Sequence, residues 1–239
     1  MKKLTAILIL SVLLIASCSF DKETGTSETG TGGSMARFTI INDYLYTVDF
    51  DNLNTFNIAT PTDIQNIGRQ KVGFGIETIF PINNTLFLGA RNGMYIYSLQ
   101  NPAAPVRQSF TSHFLSYDPV VVQGEYAYVT LRSMGWNRPS SLQIYDVSNL
   151  SNPILVKIHP MLDPKGLGID GNRLFICDNV LKVYQISNNI DITLLASFNI
   201  QAIDIIPKGE RLYVVTANGF YQYSYANNNI TFISQIIMP

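Results

Sequence analysis

A fivefold internal repeat constrains this chain more than any other feature of its sequence. Leu45-Tyr46-Thr47-Val48, Leu86-Phe87-Leu88-Gly89, Ala127-Tyr128-Val129-Thr130, Leu174-Phe175-Ile176-Cys177 and Leu212-Tyr213-Val214-Val215 are versions of one segment. Their aromatic anchors, Tyr46, Phe87, Tyr128, Phe175 and Tyr213, lie 41, 41, 47 and 38 residues apart by subtraction. A polar turn precedes each anchor: Asn42-Asp43, Asn83-Asn84, Gly124-Glu125, Gly171-Asn172 and Gly209-Glu210. A second apolar run follows each at a similar offset: Leu53 to Ile58, Met94 to Leu99, Leu142 to Val147, Leu181 to Ile186 and Phe220 to Tyr225. Self-similarity at a period of some tens of residues means stacked supersecondary units that bury their apolar faces on one another.

Each unit is built of strands. The runs are short, rich in β-branched and aromatic residues, and bounded by Gly, Pro, Asn or Ser. No stretch of the body sustains helical periodicity. Before each anchor comes a run that is apolar on both faces: Phe38 to Ile41, Ile79 to Ile82, Val120 to Val122, Leu167 to Ile169 and Ile205 to Pro207. Such strands are buried on both faces, the situation of the innermost strand in a ring of radial sheets. With a fourth strand such as Ile154 to Ile158 or Phe232 to Ile237, each unit has the four antiparallel strands of a propeller blade. The expected fold is therefore an all-β, five-bladed β-propeller over residues 35–239, with repeats at about 35–73, 74–113, 114–161, 162–200 and 201–239. A β-sandwich is the alternative, but it does not require anchors at near-constant spacing. Each copy begins at an inner strand and ends at an outer one, which leaves open how the ring closes.

The wording of the third copy, Leu142-Gln143-Ile144-Tyr145-Asp146-Val147-Ser148-Asn149-Leu150-Ser151-Asn152-Pro153-Ile154-Leu155-Val156, resembles the LVIVD repeat of bacterial surface proteins. That resemblance implies a propeller. The second copy keeps the Pro spacing in Asn101-Pro102-Ala103-Ala104-Pro105-Val106, whereas Gln185 and Ser224 stand in the fourth and fifth where Asp146 stands in the third.

The N-terminus reads as an address. Lys2 and Lys3 precede an apolar run from Leu4 to Ala16, too short to span a bilayer comfortably and laid out as an export signal. Ile15-Ala16-Ser17-Cys18 resembles the lipobox of bacterial lipoproteins, which implies cleavage of residues 1–17 and acylation of Cys18. Several acyl chains, each contributing about 0.8 kcal/mol per buried methylene, hold a protein on a membrane without a spanning segment. Ser19 after the Cys, in place of an Asp, favours the outer membrane, facing the periplasm or the exterior. Residues 18–34 are the lipidated Cys and a Gly, Thr, Ser and Glu tether too polar to order itself. Cys177, inside an apolar strand, reads as a small buried hydrophobe.

Loss of Lys2 and Lys3 takes the charge balance from 16 minus 17 to 14 minus 17, or −3, and no basic run is present. Nucleic-acid binding is therefore not expected.

The loops between second and third strands and the loops leading into the inner strands share one propeller face. The second-to-third loop is brief in four copies and long in the third. There Leu131 to Ser141 carries the chain's one Trp, Trp136, between Arg132 and Arg138. Insertions in repeat proteins map to the binding face, and Trp with Arg is enriched at interaction hot spots. His113, Phe114, Tyr117 and Arg91 are expected beside them. Ten residues before the anchors lie Glu77, Asp118 and Lys165, with Asp204 nine before the last, at one channel mouth. Catalysis finds less support. A general acid and base need two carboxylates at a set separation, and no motif pairs Glu77, Asp118 or Asp204. His113 and His159 offer no zinc spacing, Gly73-Phe74-Gly75 is no phosphate cradle, and no Gly-x-Ser-x-Gly elbow occurs. The sequence thus predicts a monomeric, membrane-tethered propeller with no cofactor and no metal that binds an envelope protein or glycan. A propeller hydrolase or lactonase with a site at the channel mouth is the alternative.

Overall fold

In a computed structural model, which describes residues 32–114, 116–133 and 139–238, the repeats are five separate four-stranded antiparallel meanders. Blade 1 holds β1 (Phe38–Ile41), β2 (Tyr44–Val48), β3 (Asn52–Asn57) and β4 (Gln65–Lys71), and blade 2 holds β5 (Ile76–Ile82), β6 (Thr85–Ala90), β7 (Gly93–Ser98) and β8 (Val106–Ser112). A short strand, β9 (Ser116–Tyr117), precedes blade 3, which holds β10 (Val120–Gln123), β11 (Tyr126–Ser133), β12 (Ser141–Asp146) and β13 (Ile154–Pro160). Blade 4 holds β14 (Pro164–Asp170), β15 (Arg173–Asp178), β16 (Val180–Ser187) and β17 (Asp191–Phe198). Blade 5 holds β18 (Ala202–Lys208), β19 (Arg211–Thr216), β20 (Gly219–Ala226) and β21 (Asn229–Ile237). The chain is a five-bladed β-propeller, and among the described residues no helix is long and apolar enough to cross a membrane.

Local chemistry explains the repeated turn. The first residue of every turn between inner and second strands is left-handed: Asn42, Asn83, Gly124, Gly171 and Gly209 have φ of 53°, 49°, 59°, 55° and 58°. Only Gly and Asn adopt that conformation at little cost. A second shared device is a bulge between the third and fourth strands, at Thr55/Phe56, Ile96/Tyr97, Ile144/Tyr145, Val183/Tyr184 and Gln222/Tyr223. In each blade it follows the residue paired with the aromatic anchor. A bulge adds right-handed twist, and all five blades carry one at this equivalent position.

The core sits between blades. Four apolar clusters each join the anchor side of one blade to the opposite side of the next. Tyr46 and Leu53 meet Ile79 and Leu86; Phe87 and Ile96 meet Val120 and Ala127. Tyr128 and Ile144 meet Leu167 and Leu174; Phe175 and Val183 meet Ile205 and Leu212. Two anchors add a hydrogen bond across their junction, Tyr46 Oη donating to the Pro102 carbonyl and Tyr128 Oη to that of Asn189, both at 2.8 Å. Cys177 is buried at the last of these junctions, and that burial pushes its thiol pKa up, as befits an unreactive core side chain.

Close approach at these junctions dictates small residues. A Cβ on Gly89 would stand 1.9 Å from the carbonyl oxygen of Asp118 in the next blade and 2.4 Å from Thr78 Oγ1. Backbone cannot yield there without separating blades 2 and 3. Gly89→Ala is therefore expected to cost about 1–3 kcal/mol, the range for overpacking, read as a lower denaturant midpoint; an unchanged midpoint would contradict this packing.

At the axis, β1 packs on β5, β5 on β10, β10 on β14, and β14 on β18. No packing of that extent joins β18 to β1 among the described residues. The segment before β1 fills the axis: Ser34 Oγ donates to Asp204 Oδ1 at 2.8 Å and accepts from the Leu167 N–H at 2.8 Å. Gly33 and Ser34, placed by composition at the end of the tether, are thus buried in the fold.

Candidate functional site

The short hairpins between second and third strands bond to the loops leading into the next blade, which assembles one continuous face. The Ile76 N–H donates to the Phe50 carbonyl and the Ser116 N–H to the Arg91 carbonyl, each from one blade to the next, while the Leu162 and Asp163 N–H groups donate to Asp178 Oδ1 in the hairpin of their own blade 4. Exposed aromatic rings gather there. Phe50 and Phe74 are 48% and 51% exposed and meet edge to face, their centroids 4.9 Å apart. The Arg91 guanidinium lies 5.7 Å from the centre of the Phe50 ring and 5.5 Å from that of exposed Tyr117. Glu77 holds it there, accepting from Arg91 Nε at 2.8 Å. Such cation–π contacts contribute about 0.5–1 kcal/mol each at exposed sites, so this is an ordered cluster on a rigid scaffold.

Two cavities flank the cluster at the channel mouth. One, of about 230 Å³, is lined by Met35, Arg37, Glu77, Thr78, Arg91, Tyr117 and Pro119. The other, of about 280 Å³, is lined by Met35, Tyr117, Pro119, Arg132, Pro164, Lys165 and Ile203. Arg132 Nε donates to Asp163 Oδ1 at 2.5 Å, and Lys165 Nζ stands 3.8 Å from Asp163. Arg37, Arg91, Arg132 and Lys165 against Glu77 and Asp163 leave this rim with an excess of two positive charges, 4 minus 2. A larger concavity, about 620 Å³, lies among turns of blades 4 and 5 on the opposite face. Its Arg173 is already bonded to the Tyr225 hydroxyl and to Asn228, Asn172 and Gln185.

The residues expected from sequence separate into two groups. Arg91, Tyr117, Arg132, Glu77 and Lys165 do converge at the channel mouth. His113, Phe114, Asp118 and Asp204 instead turn inward. The Phe114 ring packs against the core between blades 2 and 3. Asp118 is fully buried; its Oδ1 accepts from Ser116 Oγ at 2.5 Å, and its Oδ2 lies 3.1 Å from His113 Nε2, at ion-pair distance but outside hydrogen-bond alignment. Burial pushes the Asp118 pKa up to about 6, against the opposing pull of His113 and Ser116. Burial pulls the His113 imidazole down, but Asp118 and the Phe114 carbonyl together lift it above its ordinary value. Asp204 is taken by Ser34 and the Met35 N–H. Every one of these carboxylates thus has an internal partner. Among the described residues no group of three His, Cys, Asp or Glu is placed to hold a metal.

The predicted long loop is shorter than its sequence suggests. β11 runs on to Ser133, and Arg132 pairs with Tyr117 of β9, so Arg132 stands on a strand end beside the aromatic cluster. Trp136 and Arg138 lie outside the described residues, as does Cys18. Phe50 and Phe74 were not among the expected site residues. The signal available for them was two aromatic residues in polar turns, from loops of neighbouring blades that the repeat register brings to one face.

With this geometry established, residues 118–159 match the LVIVD repeat family. The match covers the third blade. No curated protein matches the chain. Among solved structures, the periplasmic gluconolactonase of Pseudomonas aeruginosa superposes with a TM-score of 0.63 at 11% identity, over 82% of this chain and 68% of its own. A chain of the mitotic checkpoint complex gives 0.58 at 12% identity, over 81% of this chain and 60% of its own. BamB from Moraxella catarrhalis gives 0.53 at 13% identity, over 84% and 63% respectively. At such identities the likeness is one of fold, and this chain spans only about 60–68% of the length of these neighbours.

Proposed function

We propose that this protein is a non-catalytic, lipid-anchored component of the bacterial cell envelope that binds a protein or glycan partner through the face bearing Phe50, Phe74, Arg91 and Tyr117. The observation that carries the reading is the exposed aromatic cluster with its fixed arginine. Solvent-exposed rings on a rigid frame lose little conformational freedom on binding, and aromatic residues with Arg dominate interaction hot spots. The positive excess of the rim favours a partner that presents carboxylates or other anionic groups around an apolar or ring-shaped centre. Internal pairing of Glu77, Asp118 and Asp204 favours binding over the hydrolase reading, since a general acid or base needs a carboxyl group free to reach a substrate. The fold itself is neutral on the matter, because a lactonase and a chain of a multiprotein assembly both share it.

Binding is tested by challenging the wild type and a Phe50→Ala/Phe74→Ala variant with envelope extract and with an array of envelope glycans. Both residues are about half exposed and the variant gives up a cation–π contact of about 0.5–1 kcal/mol, so it is expected to keep its thermal midpoint within about 2–4 °C. Capture is expected to weaken at least tenfold, about 1.4 kcal/mol. Undiminished capture would remove the site from this face. The anchor is tested separately: Cys18→Ser is expected to abolish incorporation of labelled palmitate and to release the protein from the membrane fraction. Continued labelling of the variant would exclude Cys18 as the acylated residue.

A further inference from the structure

The junction between blades 5 and 1 is unlike the other four. The inner-strand position paired with the residue after the anchor is Ile79, Val120, Leu167 or Ile205 in blades 2 to 5, each no more than 1% exposed. Its counterpart in blade 1 is Phe38, 61% exposed. The residue before the anchor tells the same story: Leu86, Ala127, Leu174 and Leu212 are buried, whereas Leu45 is not. On blade 5 the other side is only partly covered. Tyr213 is the one anchor that is not buried, and Val215 and Phe220 are partly exposed where Cys177 and Leu181 of blade 4 are buried. The molecule therefore presents one leading face and one trailing face of the kinds that pack together four times within it.

We propose that these two faces form one interface divided between copies of this chain, the trailing face of blade 5 in one molecule receiving the leading face of blade 1 in a second. The occupant follows from continuity with the established junctions, whose two sides are these same faces in other blades. A specific contact completes the fit. Where Tyr46 donates across its junction, the acceptor is the Pro102 carbonyl, fifteen residues after Phe87, the anchor of the receiving blade (102 minus 87). Pro61 stands the same fifteen residues after Tyr46 (61 minus 46), so the Tyr213 hydroxyl of one copy meets the Pro61 carbonyl of the next. The contact is heterologous, head to tail, and it replaces the monomer expected from sequence.

Sedimentation of the full chain over a concentration series tests it through complementation. The wild type is expected to rise from monomer to dimer or beyond. Phe38→Glu and Tyr213→Glu, each blocking one face, are each expected to stay monomeric alone and to give a one-to-one heterodimer when mixed, because each supplies the face the other lacks. Circular dichroism is expected to show both folded; if either glutamate disturbs the fold, Ile40→Lys and Val215→Lys carry the same test on the same two faces. A wild type that stays monomeric overturns the proposal, and if both variants then lose thermal stability the faces meet within one molecule. Single variants that associate as the wild type does, or a mixture that stays monomeric, overturn it equally.

Discussion

Phe175→Ala is expected to destabilise the protein by about 3–5 kcal/mol, the range for emptying a buried aromatic site, while Tyr213→Ala at the same repeat position costs far less. Phe175 is wholly enclosed between blades 4 and 5, edge to face with Tyr225 at 5.0 Å, among Cys177, Leu181, Val183 and Ile205. Truncation leaves a cavity that two packed sheets cannot collapse around, so the lost contacts are not regained. Tyr213 belongs to none of the four inter-blade clusters and is only partly buried. For a domain of this size each kcal/mol moves the thermal midpoint by about 2–4 °C, so Phe175→Ala should fall by roughly 6–20 °C. Melting curves at low protein concentration, where copies are apart, make the comparison clean. Equal losses at the two positions would mean that blade 5 is covered after all.

The same pair of residues marks the limit of what sequence discloses. As letters, Phe175 and Tyr213 are equivalent: each follows a polar turn and a Leu and sits in a run of β-branched residues. That equivalence was enough to read five blades, their strands and their inner positions, because side-chain alternation and turn chemistry are local properties of the chain. Whether a sixth surface lies beyond the fifth anchor is not local. It depends on how far each blade rotates from the last, which is set by features such as Gly89 at a junction and the repeated bulge, whose angular effects sequence does not state. Gln222 is a hint in retrospect: it pairs with Tyr213 where Ile144 pairs with Tyr128 and Val183 with Phe175. The position otherwise holds Ile96, Ile144, Val183 or the small, buried Thr55, so the larger amide of Gln222 suits a face less deeply buried within the molecule.

The candidate site divides in the same way. Offset from the anchors puts Glu77 and Lys165 at the channel mouth, where they line cavities together with Arg91, Tyr117 and Arg132 from the loops of that face, since offset fixes height along the axis. Offset does not fix direction. Sequence puts His113 on the binding face and Asp118 at the channel mouth, but both side chains are buried, with the Phe114 carbonyl and Ser116 Oγ as their other partners. Phe50 and Phe74 carry no such signal, because the residue types of these loops do not recur from blade to blade.

His113→Gln is expected to be the second severe change, and its severity should depend on pH. Removing one member of a buried charge pair costs about 3–5 kcal/mol, because the other is left unneutralised away from water. Here the remaining group is Asp118, with no exposed surface and with Glu77 and Tyr145 as further electrostatic neighbours. The sign follows from the direction of the shifts. Asp118, raised from 3.8 to about 6, holds its proton more tightly when folded, so its contribution is present at low pH and is lost as pH rises through about 6. His113, raised above 6.5, contributes stability that is complete below 6.5 and is lost as pH rises through its folded value. Both slopes run the same way, so this pair makes the wild type lose stability towards alkaline pH. Without the imidazole, the carboxyl group loses the partner that restrains its upward shift, and the variant depends still more on Asp118 being protonated. At pH 5 Asp118 is mostly neutral and needs no counter-charge, so the difference between His113→Gln and wild type should be small. At pH 7.5, where the carboxyl group is mostly ionised, it should be larger, with about 3–5 kcal/mol as the upper bound for an unpaired buried carboxylate. Adding Asp118→Asn should remove most of that pH dependence, since the double variant no longer has a titrating group in the pocket. Thermal midpoints of the three proteins at the two pH values decide the matter; a His113→Gln deficit of equal size at both would mean that the imidazole contributes packing alone.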